Sequence, residues 1–416
     1  MSKIAKMAAG LMLSVAILGL LEVLARTALG PPVPELAATL PGGDGELIRR
    51  TTDGIQPAYQ ATRRQAAVGL DQARERRRVV WLGGSSIHGG TQGITRSQEA
   101  PGRMGDLLGV ESLNFGGIGM DTVSIGAIIE DVVSIEPDVL VVYTGHNELG
   151  NAVFTGRYSG PSTARIARWR ARLGQSRLYQ ALEMTLRGRE ILALPSATTE
   201  GQFVVTATTR NEVYWRYEER LRHLVSVASE NGIPVVLATL MSNPSAPSIE
   251  FQCPEAMKRA GFSAVRPEAV PVDGLLEADI EVATAMAPQC PDLMWLKARR
   301  AGDARALDAL RDADPLPVRA DRKLNAVVRR VAGETGVTLV DVDGFARVAG
   351  GGVEPCAWFI DPMHLTVAGH DALARMVAQG VAPLLAVPPP PLAPAPTVER
   401  NMGGCCTEAC RARRDF

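Results

Sequence analysis

Five short runs rich in Val, Ile and Leu recur along the chain, at 79–82, 110–115, 139–143, 234–240 and 337–342. Between them lie segments whose apolar residues return every three or four positions, at 121–135, 212–231, 322–335 and 367–385. The short runs predict buried strands, and the periodic segments predict amphipathic helices. Unbroken apolar strands alternating with helices argue for an α/β fold with a parallel sheet covered on both faces. Ligands of such sheets collect at the carboxyl ends of the strands, so the residues that follow each run carry the chemical interest.

Two long pieces interrupt the alternation. The first, 151–210, holds the basic helical stretch "TARIARWRARLGQSRLYQALEMTLRGRE" with Ile166, Trp169, Leu173, Leu178, Leu182 and Leu186 among its apolar residues. It reads as a helical face docked on the core, with a lid or a surface resting on anionic lipid as the functional alternative. The second, 242–320, includes "DLMWLKARRAGDARALDALRDADPLPVRA", in which two short helices meet at Gly302 and Asp303. Trp295, Ala298, Gly302, Ala306 and the closing Asp314-Pro315 resemble one tetratricopeptide-type hairpin. A single hairpin builds no solenoid and has to pack on the main domain. Past the last helix, 386–416 reads as a stiff Pro-rich linker and a short tail with three cysteines.

At the other end, Lys3 and Lys6 precede an apolar run from Met7 to Leu21, followed by Glu22 and Arg26 four positions apart. This is a membrane-targeting pattern, read as an uncleaved signal anchor over residues 1–30, with a cleaved signal peptide or a buried helix as the other readings. Glu22 and Arg26 share one helical face, where they pair or snorkel. Residues 31–78 then form a linker and lead-in to the main domain at 79–385. Lysines on the cytoplasmic side predict a single-pass protein of the inner membrane, with the domain on the periplasmic side.

Composition adds mainly exclusions. The chain has 416 residues, a formal net charge of -1 and 21% charged residues, which leaves no electrostatic footprint for a nucleic-acid partner. Six cysteines and five histidines, with no paired CxxC, predict neither a metal site nor another cofactor. Cys253 and Cys290 bracket one segment and suggest a disulfide staple of an oxidising compartment.

Four stretches carry the candidate chemistry. In "VVWLGGSSIHGG" a strand stops on two glycines and Ser85 follows, so its hydroxyl and its backbone N–H face the cleft. Ser86 is the competing serine, better suited to cap the next helix. The loop "NFGGIGMDT" places Gly116, Gly117 and Gly119 on the same rim, either as a plain turn or as backbone donors for an oxyanion. In "VVYTGHNELG" a strand ends at Gly145 and presents His146, Asn147 and Glu148; an amide there is a loop hydrogen-bonder or an oxyanion donor. In "WFIDPMHLTVAGH" Asp361 precedes His364 by three positions, near enough to fix the imidazole tautomer that a serine base requires, with His364 opening the last helix.

Taken in order, Ser85, the glycine loop, Gly-x-Asn and Asp-x-x-His resemble the four blocks of the SGNH (GDSL-type) hydrolases, over most of 79–384. The resemblance implies a flavodoxin-like three-layer α/β/α sandwich with a five-stranded parallel sheet. It implies Ser85 as nucleophile, His364 as base and then acid, and Asp361 as its orienting partner. It further implies an oxyanion hole from the Ser85 and Gly119 N–H groups and the Asn147 side chain. Gly84 and Glu148 depart from the family's Gly-Asp-Ser and Gly-x-Asn-Asp and mark a subfamily, whose membrane-attached bacterial members the N-terminal anchor and the tetratricopeptide-like insert resemble. The expected activity is ester hydrolysis on acyl groups, acetyl or short-chain, of envelope glycans or lipids. Acyl transfer to a sugar hydroxyl and a noncatalytic scaffold are the rival readings. His146 and Arg319 are candidate substrate contacts, His146 and His88 alternative bases, His370 a helix-packing residue, and His223 a surface or core residue.

Overall fold

A computed structural model of the chain describes residues 3–29, 48–51, 54–57, 76–89, 94–154, 176–179, 205, 207–246, 252–261, 277–314 and 317–392. The chain divides into two compact units, 1–47 with 154–202, and 48–153 with 203–416. Most of the lead-in at 31–78, nearly all of the basic stretch at 151–210 and the tail with Cys405, Cys406 and Cys410 lie outside the described residues.

In the first unit, helix α1 runs over Lys3–Leu29. Its side chains are described at Ser14 and over 16–28, and Ile17, Leu18, Leu20, Leu21, Val23 and Leu24 are exposed. Among the described residues no helix is long and apolar enough to cross a membrane. Glu22 and Arg26 pair at 2.6 Å, as their spacing suggests. Glu22 also accepts from the Ser176 hydroxyl and from the Arg177 and Leu178 N–H groups, at 2.6, 3.0 and 2.9 Å, contacts that no local pattern announces.

The second unit opens with an antiparallel hairpin, β1 Ile48–Thr51 and β2 Gly54–Pro57. The core then follows in chain order as β3 Arg78–Gly83, the short α2 Ser85–His88, α3 Ala100–Leu108, β4 Glu111–Asn114, α4 Thr122–Ser134, β5 Val139–Tyr143 and α5 His146–Phe154. After the first interruption come α6 Ala207–Glu230 and β6 Val235–Ala238. The second interruption carries α7 Pro254–Arg259, α8 Glu277–Met286, α9 Pro291–Ala301 and α10 Ala304–Ala313. The chain returns through α11 Arg322–Thr335, β7 Thr338–Val340, α12 Val342–Ala349 and α13 Val367–Leu384.

The five core strands are all parallel, in the order β4-β3-β5-β6-β7. Helices α4, α6 and α11 pack together on one face, while α3 and α13 pack on the other, giving three layers. Every residue of β3, β5 and β6 is buried, which is why these runs are apolar without alternation. The buried Arg78 at the start of β3 is held by Glu111 at 2.6 Å and by the Ile135 carbonyl at 2.8 Å. Asp121, Asp321, Asp341 and Thr366 each accept an N–H from the first turn of the helix they precede. Strand β7 is shorter than expected because Asp341 leaves the ladder to cap α12.

In the second interruption, Cys253 and Cys290 are joined by a disulfide with Cα atoms 6.0 Å apart, the pairing read from the sequence. Helices α9 and α10 meet at Gly302, and Met257, Ile280, Leu293, Leu296 and Leu307 give this insert a small core of its own.

Candidate active site

The strand order places the ends of β3 and β5 side by side, with Gly83 opposite Tyr143. Between these two strands the direction of chain winding reverses, which is where open α/β sheets place their ligands, beyond the carboxyl ends of the strands. Just past β3, Gly84 is extended and Ser85 begins α2. A Cβ on Gly84 would stand 2.7 Å from Asn147 Nδ2 and 3.2 Å from the Met120 carbonyl, so a side chain here would displace the Asn147 amide. Ser86 does not cap α2: the N-cap is Gly84, and the buried Ser86 hydroxyl has no partner among the described residues.

Ser85 Oγ lies 2.8 Å from His364 Nε2, although 279 positions separate them. His364 Nδ1 lies 2.6 Å from Asp361 Oδ2. The other carboxylate oxygen, Oδ1, accepts from the Met363 and His364 N–H groups at 2.9 and 2.8 Å. Burial works against the Asp361 charge, but the His364 ring and the two backbone donors outweigh it and hold the carboxyl down at about 2. With an ionised Asp361 on Nδ1–H, the lone pair of Nε2 is left for the serine. His364 does not open the last helix: it sits in a closed turn, its carbonyl accepting from the Ile360 N–H at 2.8 Å, and α13 starts after Thr366.

Facing Ser85, Asn147 donates one Nδ2 hydrogen to the Met120 carbonyl at 2.8 Å and retains a second. Gly119 holds a positive φ of 67°, which aims its N–H as a residue with a side chain would resist. Its carbonyl accepts from Asn151 at 2.8 Å, and Asn151 also reaches Asp121 at 2.8 Å. The Ser85 N–H, in the first turn of α2, has no intrahelical acceptor. The fully buried Glu148 binds the Thr122 N–H at 2.6 Å and its hydroxyl at 3.0 Å, tying α5 to the start of α4. Asn151 and Asp121 escape a reading of motifs because only the turn of α5 brings them under the glycine loop.

Two expected substrate contacts are corrected. His146 is buried; its Nδ1 accepts from the Ala320 N–H at 3.0 Å, and burial pushes its pKa down to about 3, with the nearby His364 adding to the effect. It is a neutral packing imidazole, not a group facing the cleft. Arg319 is buried as well, donating to the Asn243 and Ala246 carbonyls. Neither side chain is exposed to a ligand. His88 is buried in α2, His370 accepts from the Ala100 N–H at 3.2 Å between α13 and α3, and His223 is exposed. The candidate metal group among the described residues is Cys253, Cys290 and Asp292, and the disulfide occupies both of its sulfurs.

A parallel three-layer α/β domain with a Ser-His-Asp constellation at the crevice of its sheet is therefore the class that fold and site define. No family model matches the chain, and no curated protein matches it. Among solved structures it is similar to a GDSL-like lipase from Bacteroides thetaiotaomicron, at 12% identity over 78% of this chain and 96% of that one, with a TM-score of 0.38. It is similar to an acetyl xylan esterase at 12% identity over 73% and 99%, with a TM-score of 0.36. A variant of an acetyl-xylooligosaccharide esterase from Geobacillus matches at 15% identity over 73% and 94%, with a TM-score of 0.35.

Proposed function

We propose that the chain is a serine esterase of the SGNH type that hydrolyses acyl esters. The observation that carries this reading is the pair of distances through His364, 2.8 Å to Ser85 and 2.6 Å to Asp361, since an aligned serine, imidazole and carboxylate is what acyl transfer requires. In the proposed reaction Ser85 Oγ attacks the ester carbonyl while its proton passes to His364 Nε2. Negative charge on the former carbonyl oxygen meets the N–H groups of Ser85 and Gly119 and the Asn147 amide. Collapse expels the alcohol, which takes the proton from His364. Water, deprotonated by His364, then releases the acid and returns the proton to Ser85.

We further propose that α1 attaches the chain to the inner membrane and that the hydrolase unit lies on the periplasmic side. Lys3 and Lys6 at its start, its exposed apolar side chains and the Cys253–Cys290 disulfide support this placement. Acetyl or other short-chain esters of envelope glycans or lipids are the substrates that suit this location.

The test is hydrolysis of short p-nitrophenyl esters by protein lacking residues 1–30, together with labelling by a fluorophosphonate probe. Turnover and labelling are expected from the parent and absent from Ser85→Ala. Equal turnover by that variant would refute the nucleophile, and a parent inert to both ester and probe would refute the esterase.

A further inference from the structure

The turn that carries His364 and its orienting carboxylate has a carbonyl, that of Pro362, lying in sequence between Asp361 and His364. Asn243, just after β6, donates its N–H to that carbonyl at 2.9 Å. The loop around Asn243 is gripped in turn by Arg319, whose Nη1 donates both to the Asn243 carbonyl and to the Ala246 carbonyl, the latter at 2.9 Å. Arg319 is only 4% exposed and stands 4.0 Å from Asp314. The Asn243 side chain closes the loop on itself, accepting from the Ser245 N–H at 3.1 Å. One guanidinium thus grips the residue, Asn243, whose N–H holds the middle of the Asp361-to-His364 turn.

We propose that Arg319, contributed by the end of the helical insert, is a positioning residue for His364, acting through the backbone of Asn243 on the carbonyl of Pro362. The proposal rests on the esterase reading for its effect on rate, but not for its geometry. A proline offers no N–H, so its carbonyl is its one backbone handle, and a shift there displaces Asp361 and His364 together. The neighbouring peptide belongs to the same arrangement: the Ala320 N–H, next to Arg319, donates to His146 beside Asn147. The insert is thereby wired to two of the four blocks that form the site. Burial lowers the Arg319 pKa to about 10, so it remains a cation across the neutral range.

The experiment compares parent, Arg319→Lys and Asn243→Ala, each in the full chain. Lysine keeps the charge beside Asp314 but lacks the rigid planar fork, and alanine removes the brace that shapes the Asn243 loop. Three readouts are taken: near-UV circular dichroism for folding, kcat and KM for a p-nitrophenyl ester, and the downfield proton resonance of His364 Nδ1–H, which needs no substrate.

The expected result for Arg319→Lys is a folded protein with kcat lowered about 10- to 100-fold, as for a small misplacement of a catalytic group, KM within about 2-fold, and the downfield resonance lost or broadened. Asn243→Ala is expected to move the same way by about 10-fold or less. A folded Arg319→Lys variant with parental kcat and an unchanged resonance would overturn the proposal. If Arg319→Lys does not fold, Asn243→Ala decides by the same readouts. A parent that shows the resonance but hydrolyses no ester refutes the esterase reading alone, and the resonance in the variants still judges the positioning. A parent without the resonance counts against the positioning.

Discussion

The amide nitrogen of Asn147 stands 2.7 Å from the point that a Cβ on Gly84 would occupy, and 2.8 Å from the Met120 carbonyl to which it donates. Two of the site's blocks, after β3 and after β5, therefore meet so closely that a side chain on the first would press on the amide of the second. The flexible end of Asn147 has to yield to any side chain introduced there. Gly84→Ala is expected to fold normally and to lose about 10- to 100-fold in kcat, part of the ~100- to 1000-fold that removal of an oxyanion donor costs. Steady-state kinetics alongside a melting curve check both halves of that expectation.

Removing the amide outright goes further. Asn147→Ala leaves Ser85 and His364 untouched, so kcat is expected to fall ~100- to 1000-fold while the rate of fluorophosphonate labelling falls in parallel and KM changes little. An Asn147→Ala protein with parental kcat would exclude this side chain from the oxyanion hole.

Asp361→Asn keeps the shape of the carboxyl group but favours the wrong imidazole tautomer. A loss of up to about 10000-fold in kcat is expected, by the reasoning that applies to serine triads generally. Thermal stability adds an independent check. The Asp361 carboxyl titrates at about 2 in the folded chain, below its unfolded value of roughly 3.9. The stability it contributes is thus fully present above about pH 4 and is lost as pH falls toward 2. The difference in melting temperature between parent and Asp361→Asn is expected to narrow across that window.

The Cys253–Cys290 bridge closes a separation of 37 residues around the insert core. Its loss is expected to destabilise the insert by about 2–4 kcal/mol. A thiol reductant should therefore lower the melting temperature of the parent and leave a Cys253→Ala, Cys290→Ala double variant unchanged.

The core strands were legible because β3, β5 and β6 are buried on both faces, which writes an unbroken apolar run into the chain. Ser85, Asp361 and His364 were legible because strand ends followed by glycine, and an acid three positions before a histidine, constrain the chemistry locally. Helix α3 was not: Gly102 and Gly105 weaken its intrinsic propensity, and it is held by packing on α13, by an Arg103–Asp371 pair at 2.6 Å and by its contact with His370. His146 and Arg319 were placed near the site but facing the wrong way, because a position next to a motif does not reveal which way its side chain turns. Glu148 read as a departure from a pattern, and its partner, Thr122, lies across a contact that only the folded sheet creates.

The 279 positions between Ser85 and His364 set a rule for the life of this chain as it is made. A ribosome that has passed residue 147 has already delivered the serine and the asparagine, yet the imidazole is still to be synthesised. A nascent polypeptide halted anywhere before residue 364 lacks the base altogether. On the proposed reading, premature termination before that point and loss of the segment that carries Asp361 and His364 leave the same remnant, a serine without its base.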